Sequence, residues 1–439
     1  MLTWIRANLE IVFSFLAMSV LFGAYTPLPR AMELTDAIKA GESDPTTLVA
    51  NIAILTGLLV FCFVHRRSFI LAVSRGLWTN LFLGLAFFSA LWSMDPAVTL
   101  RRMGPLLIII CFGYFLAIRF PVQSIIRMAA LALVISAIAS AVVAIGLPQY
   151  GVMHGVPGVM AGMEGGELEG DWRGVFSHKS SLGAEMLVGC LCCGWLLVHE
   201  RRHRVLSAAG FVICLALAVM SGSRTSEVVI VLLPILGCFL RGLQLPGMLR
   251  VWAIYLVTVG LGLAAVIAVC DFDGLMAFLG KDATLTGRVP LWGVVLDAAA
   301  SRPVLGYGYG AFWLDWNTQV NAILKAVNWH LGGSHNGYLD MVLELGVVGL
   351  IVSCGLLLSV LRQSLRGVLR GNPPWASFSA MLTITLVITT FVDETLLHPG
   401  DAAGLLLCAL YAAWVLERSK SEDRVRSPSL GAIPGSAEA

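Results

Sequence analysis

Three arginines stand where residue type and setting point to anion chemistry. Arg173 lies in Trp172-Arg173-Gly174-Val175-Phe176-Ser177-His178-Lys179, Arg224 in Ser221-Gly222-Ser223-Arg224-Thr225, and Arg288 closes Thr284-Leu285-Thr286-Gly287-Arg288. Guanidinium is a planar fork of donors that matches the oxygens of a phosphate or diphosphate. Taken singly, each arginine fits snorkelling to headgroups or pairing with a local acid equally well. Several on one face, with Arg101 and Arg102 at a neighbouring turn, favour a site for a phosphate-bearing lipid. A second kind of chemistry is offered by Ser334-His335-Asn336-Gly337-Tyr338-Leu339-Asp340-Met341-Val342-Leu343-Glu344-Leu345-Gly346. An imidazole titrates near neutral pH and can take a proton from a sugar hydroxyl. Ser334 is expected to cap the helix that follows, and Asn336, Asp340 and Glu344, four apart, to form one polar stripe facing protein or water. A histidine at a helix start is more often a cap than a base. Here the adjacent acids and the arginine-rich face favour a base, with Asp340 or Glu344 to orient the ring.

Membrane helices have to position these groups. Of 439 residues, 58% are apolar and 13% charged, against roughly 25% charged in an ordinary soluble domain, so the chain has too little polar surface for a globule in water. Measured against the roughly 20 apolar residues of a spanning helix, segments centre on 10–27, 48–64, 77–94, 103–119, 128–147, 181–198, 205–221, 226–240, 251–270, 335–361, 376–392 and 401–416. An all-α polytopic bundle of about 12 transmembrane helices is predicted. With both termini cytoplasmic, most of the 29 Lys and Arg fall in short inside loops, as the positive-inside bias requires. The arginines singled out above then lie on the periplasmic side. An apolar stretch begins at Ile11 with no small-residue cleavage site after it, and reads as an anchor and not a removable signal peptide.

Two periplasmic loops are long, 148–180 and 271–334, and loops of that length in a compact protein are usually functional. The second is rich in Trp and Tyr and is expected to contain short helices. Residues 1–420 make one membrane domain, and 421–439 a disordered cytoplasmic tail. A net charge of +2 and the lack of a basic run interleaved with aromatics exclude nucleic acid as a partner. The ten cysteines lie almost wholly in apolar runs, where a free thiol behaves as a small hydrophobe. The Cys190-x-x-Cys193 spacing, placed mid-helix, implies neither a metal nor a disulfide framework.

Taken in order, five motifs resemble the O-antigen ligase and polymerase superfamily, in particular its ExoQ-like exopolysaccharide branch. They are Arg173-Gly174-Val175-Phe176-Ser177-His178-Lys179; Ser223-Arg224-Thr225; Thr286-Gly287-Arg288 with Trp292; Arg302-Pro303-Val304-Leu305-Gly306-Tyr307-Gly308-Tyr309-Gly310-Ala311-Phe312; and His335-Asn336-Gly337-Tyr338-Leu339. The similarity spans about residues 170–360, with matching topology on both flanks. It departs at Ser180, where that pattern has Asn. The resemblance implies a GT-C-like bundle in the bacterial inner membrane with a periplasmic, metal-independent active site and no cofactor. Such a site takes a glycan from an undecaprenyl-diphosphate carrier and passes it to a hydroxyl of an acceptor glycan. His335 would be the base, with inversion at the anomeric carbon, and Arg224 and Arg173 would stabilise the leaving diphosphate. Arg288, Lys179, His178, Arg302, Asn336, Asp340, Glu344 and Trp313 would contact substrate. Tyr307, Tyr309, Phe312, Trp313, Trp316 and Trp329 suit stacking on sugars or an interfacial belt about equally. Gly306, Gly308 and Gly310 are no nucleotide cradle, because no strand precedes them. The expected partners are the lipid-linked oligosaccharide, the acceptor glycan, membrane lipids, a chain-length regulator and a flippase. A polymerase of exopolysaccharide or capsule repeat units is preferred on the family branch. A ligase acting on lipid A core or protein comes second. A transporter or flippase of the lipid-linked unit comes third, since it would favour broken or charged helices at the bilayer midplane and internal symmetry.

Overall fold

A computed structural model describes residues 2–23, 45–153, 170–270, 288–327, 332–393, 397 and 400–426. Among these residues the secondary structure is helical, with one isolated bridge between Val152 and Trp172. The helices are α1 (Leu2–Leu21), α2 (Pro45–Val64), α3 (Arg66–Ser74), α4 (Leu77–Phe88), α5 (Pro96–Arg119), α6 (Val122–Gly146), α7 (Lys179–His199), α8 (Arg204–Met220), α9 (Arg224–Gly242), α10 (Met248–Cys270), α11 (Arg288–Ala300), α12 (Thr318–Val327), α13 (Gly337–Arg370), α14 (Ala376–Thr389) and α15 (Ala402–Arg426).

Each expected span overlaps a helix, but not as twelve uniform crossings. Among the described residues eight helices are long and apolar enough to cross a membrane by themselves. The third expected span is a broken one: α3 and the stretch Leu77–Leu91 meet at 84°, and Arg66 and Arg67 begin a helix where a loop was expected. The apolar stretches Asn8–Leu21, Met248–Val257 and Ala376–Thr389 are shorter. The last helix continues to Arg426, into the segment expected to be a disordered tail; 427–439 lie outside the described residues.

Helices α7 and α15 are the most enclosed, and α2 is peripheral. Small residues permit the closest approaches, as in membrane interfaces generally. A Cβ on Gly113 of α5 would come within 2.7 Å of the Cβ of Cys408 in α15, and one on Gly189 of α7 within 2.7 Å of the Cys214 Sγ in α8. The described cysteines are all free, with Cys190, Cys192 and Cys193 buried.

Contacts between helix ends fall into two groups. At one end the Trp172 N–H donates to the Met220 carbonyl at 2.9 Å, and the Gly337 N–H to the carbonyls of Thr390 at 2.8 Å and Asp393 at 3.2 Å. At the other, Arg119 and His65 converge on the buried Glu10 carboxylate, and Arg127 pairs with Glu200 at 2.7 Å.

The segment 288–327 is folded onto the first end. Leu291, Val295, Tyr307, Phe312, Trp313 and Ile323 share a small core with Leu343 of α13. The run Gly306-Tyr307-Gly308-Tyr309-Gly310 threads between the end of α4 and α13. The Met94 N–H donates to the Tyr307 carbonyl at 2.9 Å, the Tyr307 N–H to Leu343 at 2.8 Å, and the Gly308 N–H to Glu344 at 2.9 Å. Gly308 has φ +103, and a Cβ there would sit 2.4 Å from the Ser93 hydroxyl. Its glycines therefore let a chain pass between helices.

Helix α13 is interrupted at Gly346, whose φ of 67 and ψ of −168 lie in a region open essentially to glycine alone. A Cβ there would lie 2.1 Å from the Val304 carbonyl oxygen. Gly346→Ala is therefore expected to destabilise the protein by about 1–3 kcal/mol, read as a lowered midpoint of thermal unfolding in detergent. An unchanged midpoint would show that the break is not needed to seat the 303–310 segment.

Candidate functional site

Arg173 enters the first end on a short connection that the chain locks from both sides. The Arg173 and Gly174 N–H groups both donate to the Gly151 carbonyl at 2.9 Å, and Gly174, at φ +59, lies where a Cβ would strike the Ser140 side chain. The guanidinium is buried, and its Nε donates to the Tyr150 carbonyl at 2.6 Å. It has no ion pair among the described residues, and burial lowers its pKa. His178 is the N-cap of α7, its Nδ1 accepting from the Ser180 N–H at 3.2 Å. A neutral ring so engaged carries its proton on Nε2 and presents a donor there. Ser180, the departure from the family pattern, thus fixes the tautomer through its main chain, and its hydroxyl lies 3.1 Å from the same nitrogen.

His335 begins the turn into α13 with φ +50, a left-handed conformation costly for a residue with a side chain. Its neighbours impose it. The Trp292 indole donates to the Ser334 carbonyl at 3.1 Å, the Ser334 N–H reaches the Asp340 carboxylate at 3.1 Å, and the Ser334 hydroxyl donates to the Asn336 carbonyl at 2.8 Å. Arg288, at the start of α11, donates to the Val392 carbonyl at 2.6 Å.

These side chains form one electrostatic group. Burial and then the charges of Lys179, Arg173 and Arg288 hold the His178 pKa down to about 4, with Asp171 opposing. Burial, Arg288 and His178 hold His335 down to about 3. His178, His335, Arg173, Arg288 and Lys179 are thus brought together. Lys179 is already engaged, its Nζ 2.6 Å from the Asp171 carboxylate.

Other expected site residues are placed elsewhere or used differently. Arg224 is at the same end, two residues past Gly222, where a Cβ would touch Asp171. Its side chain is 58% exposed and pairs with Glu227 at 2.9 Å, and it is not among the charges acting on either imidazole. Arg302 lies over the Tyr307 ring at 4.9 Å and donates to the Trp92 carbonyl at 3.4 Å, so it staples the 301–310 segment to the end of α4. The helix cap is Asn336, not Ser334: the Asn336 side chain accepts from the Tyr338 and Leu339 N–H groups. The polar stripe does not present three free groups to a site. Asp340 accepts from the Trp313 indole at 2.9 Å as well as from Ser334, so it holds the main chain beside His335. Glu344 accepts from the Gly310 N–H close to Arg102. Trp313, Tyr307, Tyr309 and Phe312 are buried in cores, which removes their faces from sugars, while Trp316 is exposed. Trp329 and residues 284–287 lie outside the described residues.

Three contributions were missed. Asp171, in the first long loop, is the carboxylate at the cluster. The stretch after α14 supplies the Val392, Thr390 and Asp393 carbonyls to Arg288 and Gly337; main-chain acceptors leave no mark in a sequence. Glu185 lies deep in α7, accepting from the Ala402 N–H at 2.9 Å with its other oxygen unpartnered among the described residues. An acid alone in an apolar helix was the signal for it.

Architecture and site together define a polytopic membrane protein, all-helical among the described residues, with a cluster of cationic and imidazole side chains at one end of its helices. Residues 209–354 match the O-Antigen ligase family. The Exopolysaccharide production protein ExoQ of Rhizobium meliloti (strain 1021) is 27% identical over 154 residues, which cover 34% of this chain and 35% of that protein. The resemblance to O-antigen ligase-like membrane proteins and their ExoQ branch, first read from the motifs, is thereby borne out. The matched stretch takes in Arg224, Arg288 and His335, but starts after the Arg173–Lys179 motif.

Both histidines have folded-state pKa values below the ordinary 6.5. Between about pH 6.5 and pH 4 the unfolded chain therefore binds protons that the folded chain does not, so stability falls as pH falls through that window. The slope of unfolding free energy against pH is expected to approach two protons, and His178→Gln and His335→Gln should each remove about one. Slopes unchanged in both variants would show that the rings are not held neutral by the cluster.

Proposed function

We propose that this protein is a membrane glycosyltransferase that moves a glycan from a polyprenyl-diphosphate carrier to a hydroxyl of an acceptor glycan on the periplasmic face of the bacterial inner membrane. Polymerisation of exopolysaccharide repeat units is its most specific form. The observation that carries this reading is the gathering of Arg173, Arg288 and Lys179 around two neutral imidazoles at a membrane edge. Positive side chains gathered in a partly desolvated setting suit a diphosphate better than a cationic ligand. Beside Asn336 an apolar cleft of 550 Å³ is lined by Trp292, Tyr338, Leu339, Leu357 and Phe391, which suits a polyisoprenoid chain next to the headgroup.

The acceptor oxygen attacks the anomeric carbon as the bond from that carbon to the diphosphate oxygen breaks. Its proton passes to His335, and the carrier diphosphate leaves with the electron pair. Arg173 and Arg288 stabilise the charge gathering on the leaving oxygen, and the His178 Nε2–H donates to the same group. A bound diphosphate opposes the cationic charges that depress His335, so its basicity rises when the donor is in place. Arg224 serves as the outer anion contact. Its exposed pair with Glu227 is worth only about 0–1 kcal/mol, and an arriving diphosphate displaces it. ExoQ is named for exopolysaccharide production, which favours polymerase over ligase for this chain.

His335→Ala and Arg173→Ala are each expected to lower polymer formation by about 10²- to 10³-fold at normal protein level, measured with purified protein and lipid-linked repeat units. Arg224→Ala should act more on KM than on kcat. Chelator should leave the rate unchanged, and kcat/KM should stay level from pH 8 to below 6. Full activity in both His335→Ala and Arg173→Ala would remove the assigned roles.

A further inference from the structure

A cavity of 1270 Å³ lies at the opposite end of the molecule, between α4, α13 and α15. The α13 side of the cavity is apolar at Ile351, Cys354 and Leu358, with Trp78 of α4 against it, and becomes cationic further along at Arg362, Arg366 and Arg370. Spaced four apart, these arginines share one face of α13. They are exposed, and none makes a hydrogen bond or ion pair with another described residue. Glu417 and Arg418 also line the cavity. Sixteen residues separate Arg362 from the break at Gly346, about 24 Å of helix. The arginines thus emerge near the far edge of a hydrocarbon core roughly 30 Å thick.

Snorkelling accounts for basic residues at a helix end, but not for a deep slot in which a cationic row continues into an apolar wall. Gly355 helps to make that wall: a Cβ there would lie 2.2 Å from the Trp78 ring, so the bare helix lets the indole seat. A single ligand that satisfies both stretches needs phosphate oxygens at one end and hydrocarbon at the other. We propose that this cavity is a binding site for an anionic glycerophospholipid of the leaflet opposite the transferase site, its phosphate on Arg362, Arg366 and Arg370 and an acyl chain against Trp78 and Leu358.

The full chain, purified and reconstituted with equal amounts of phosphatidylglycerol and phosphatidylcholine, is released from the bilayer and examined by native mass spectrometry. Wild type is expected to retain phosphatidylglycerol at least tenfold over phosphatidylcholine. The triple variant Arg362→Gln/Arg366→Gln/Arg370→Gln should lose that preference, and Leu358→Trp, which fills the apolar wall with the arginines intact, should lose retention. Arg201→Gln/Arg202→Gln/Arg204→Gln, which removes equal charge from another loop at the same end, should keep both. Equal retention of the two lipids by wild type, a preference that survives the triple variant, or an equal loss in the control would overturn the proposal. So would a doubled mass without lipid, which would make a second copy the occupant. Should the triple variant fail to fold, the wild-type ratio and Leu358→Trp decide.

Discussion

Positive charge confined at a membrane edge is the constraint around which the rest is arranged. Arg173 and Arg288 donate to main-chain carbonyls, and the carboxylate acting on His178, Asp171, is bound by Lys179. At Arg173, which has no ion pair among the described residues, a carbonyl dipole satisfies the guanidinium without cancelling its charge. The excess is therefore felt by the two histidines, which respond by staying neutral. A site built this way is primed for an anion, and it keeps a proton acceptor unprotonated beside the cations that would bind it.

Holding that arrangement requires a main chain that does not relax. The left-handed turn at His335 is opposed by sterics and maintained by Trp292, Asp340 and Asn336, each fixed elsewhere. Asp340 is tied through Trp313 to the core of the 288–327 segment, and that segment is seated by the glycine run and by the break at Gly346. A chain of rigid contacts thus runs from the non-helical stretch of α13 to the imidazole. The acids of the stripe work as supports within it, one under Ser334 and one under Gly310.

Much of this was legible from composition and periodicity. Apolar runs of about 20 residues marked nearly every helix, because lipid demands internally satisfied backbone and long hydrocarbon surfaces. The broken pair at 66–91 was not, since an apolar count does not register a bend set by packing. In the candidate site, the nearness of Arg173, His178, Arg288 and His335 was suggested by the sequence because cations and a histidine at a helix start stand out against an apolar background. The pairing of Arg224 with Glu227 was not, although the two are three apart on one helix, because the sequence does not say whether such a pair yields to a ligand. The roles of Asp340 and Trp313 depend on contacts across 27 residues, and the carbonyls of 390–393 depend on main-chain path alone. Side-chain pattern records neither.

The depth at which acids are placed completes the electrostatic logic. Glu185 lies seven residues beyond His178, on the same face of α7 and about 10 Å deeper. Asp401 caps α15 beside it, with its carboxylate on the Ala403 and Gly404 N–H groups. Burial, with Asp393 near by, raises the Asp401 pKa, so the pair carries less than its formal negative charge. Fully ionised, two carboxylates beneath the imidazoles would raise the basicity of both histidines and lessen the pull on an anion above. Keeping these acids buried, and spending Asp171 on Lys179, leaves the field at the membrane edge positive. The same acids anchor α15 to α7 at the centre of the bundle, so the element that stabilises the fold also sets the sign of the site.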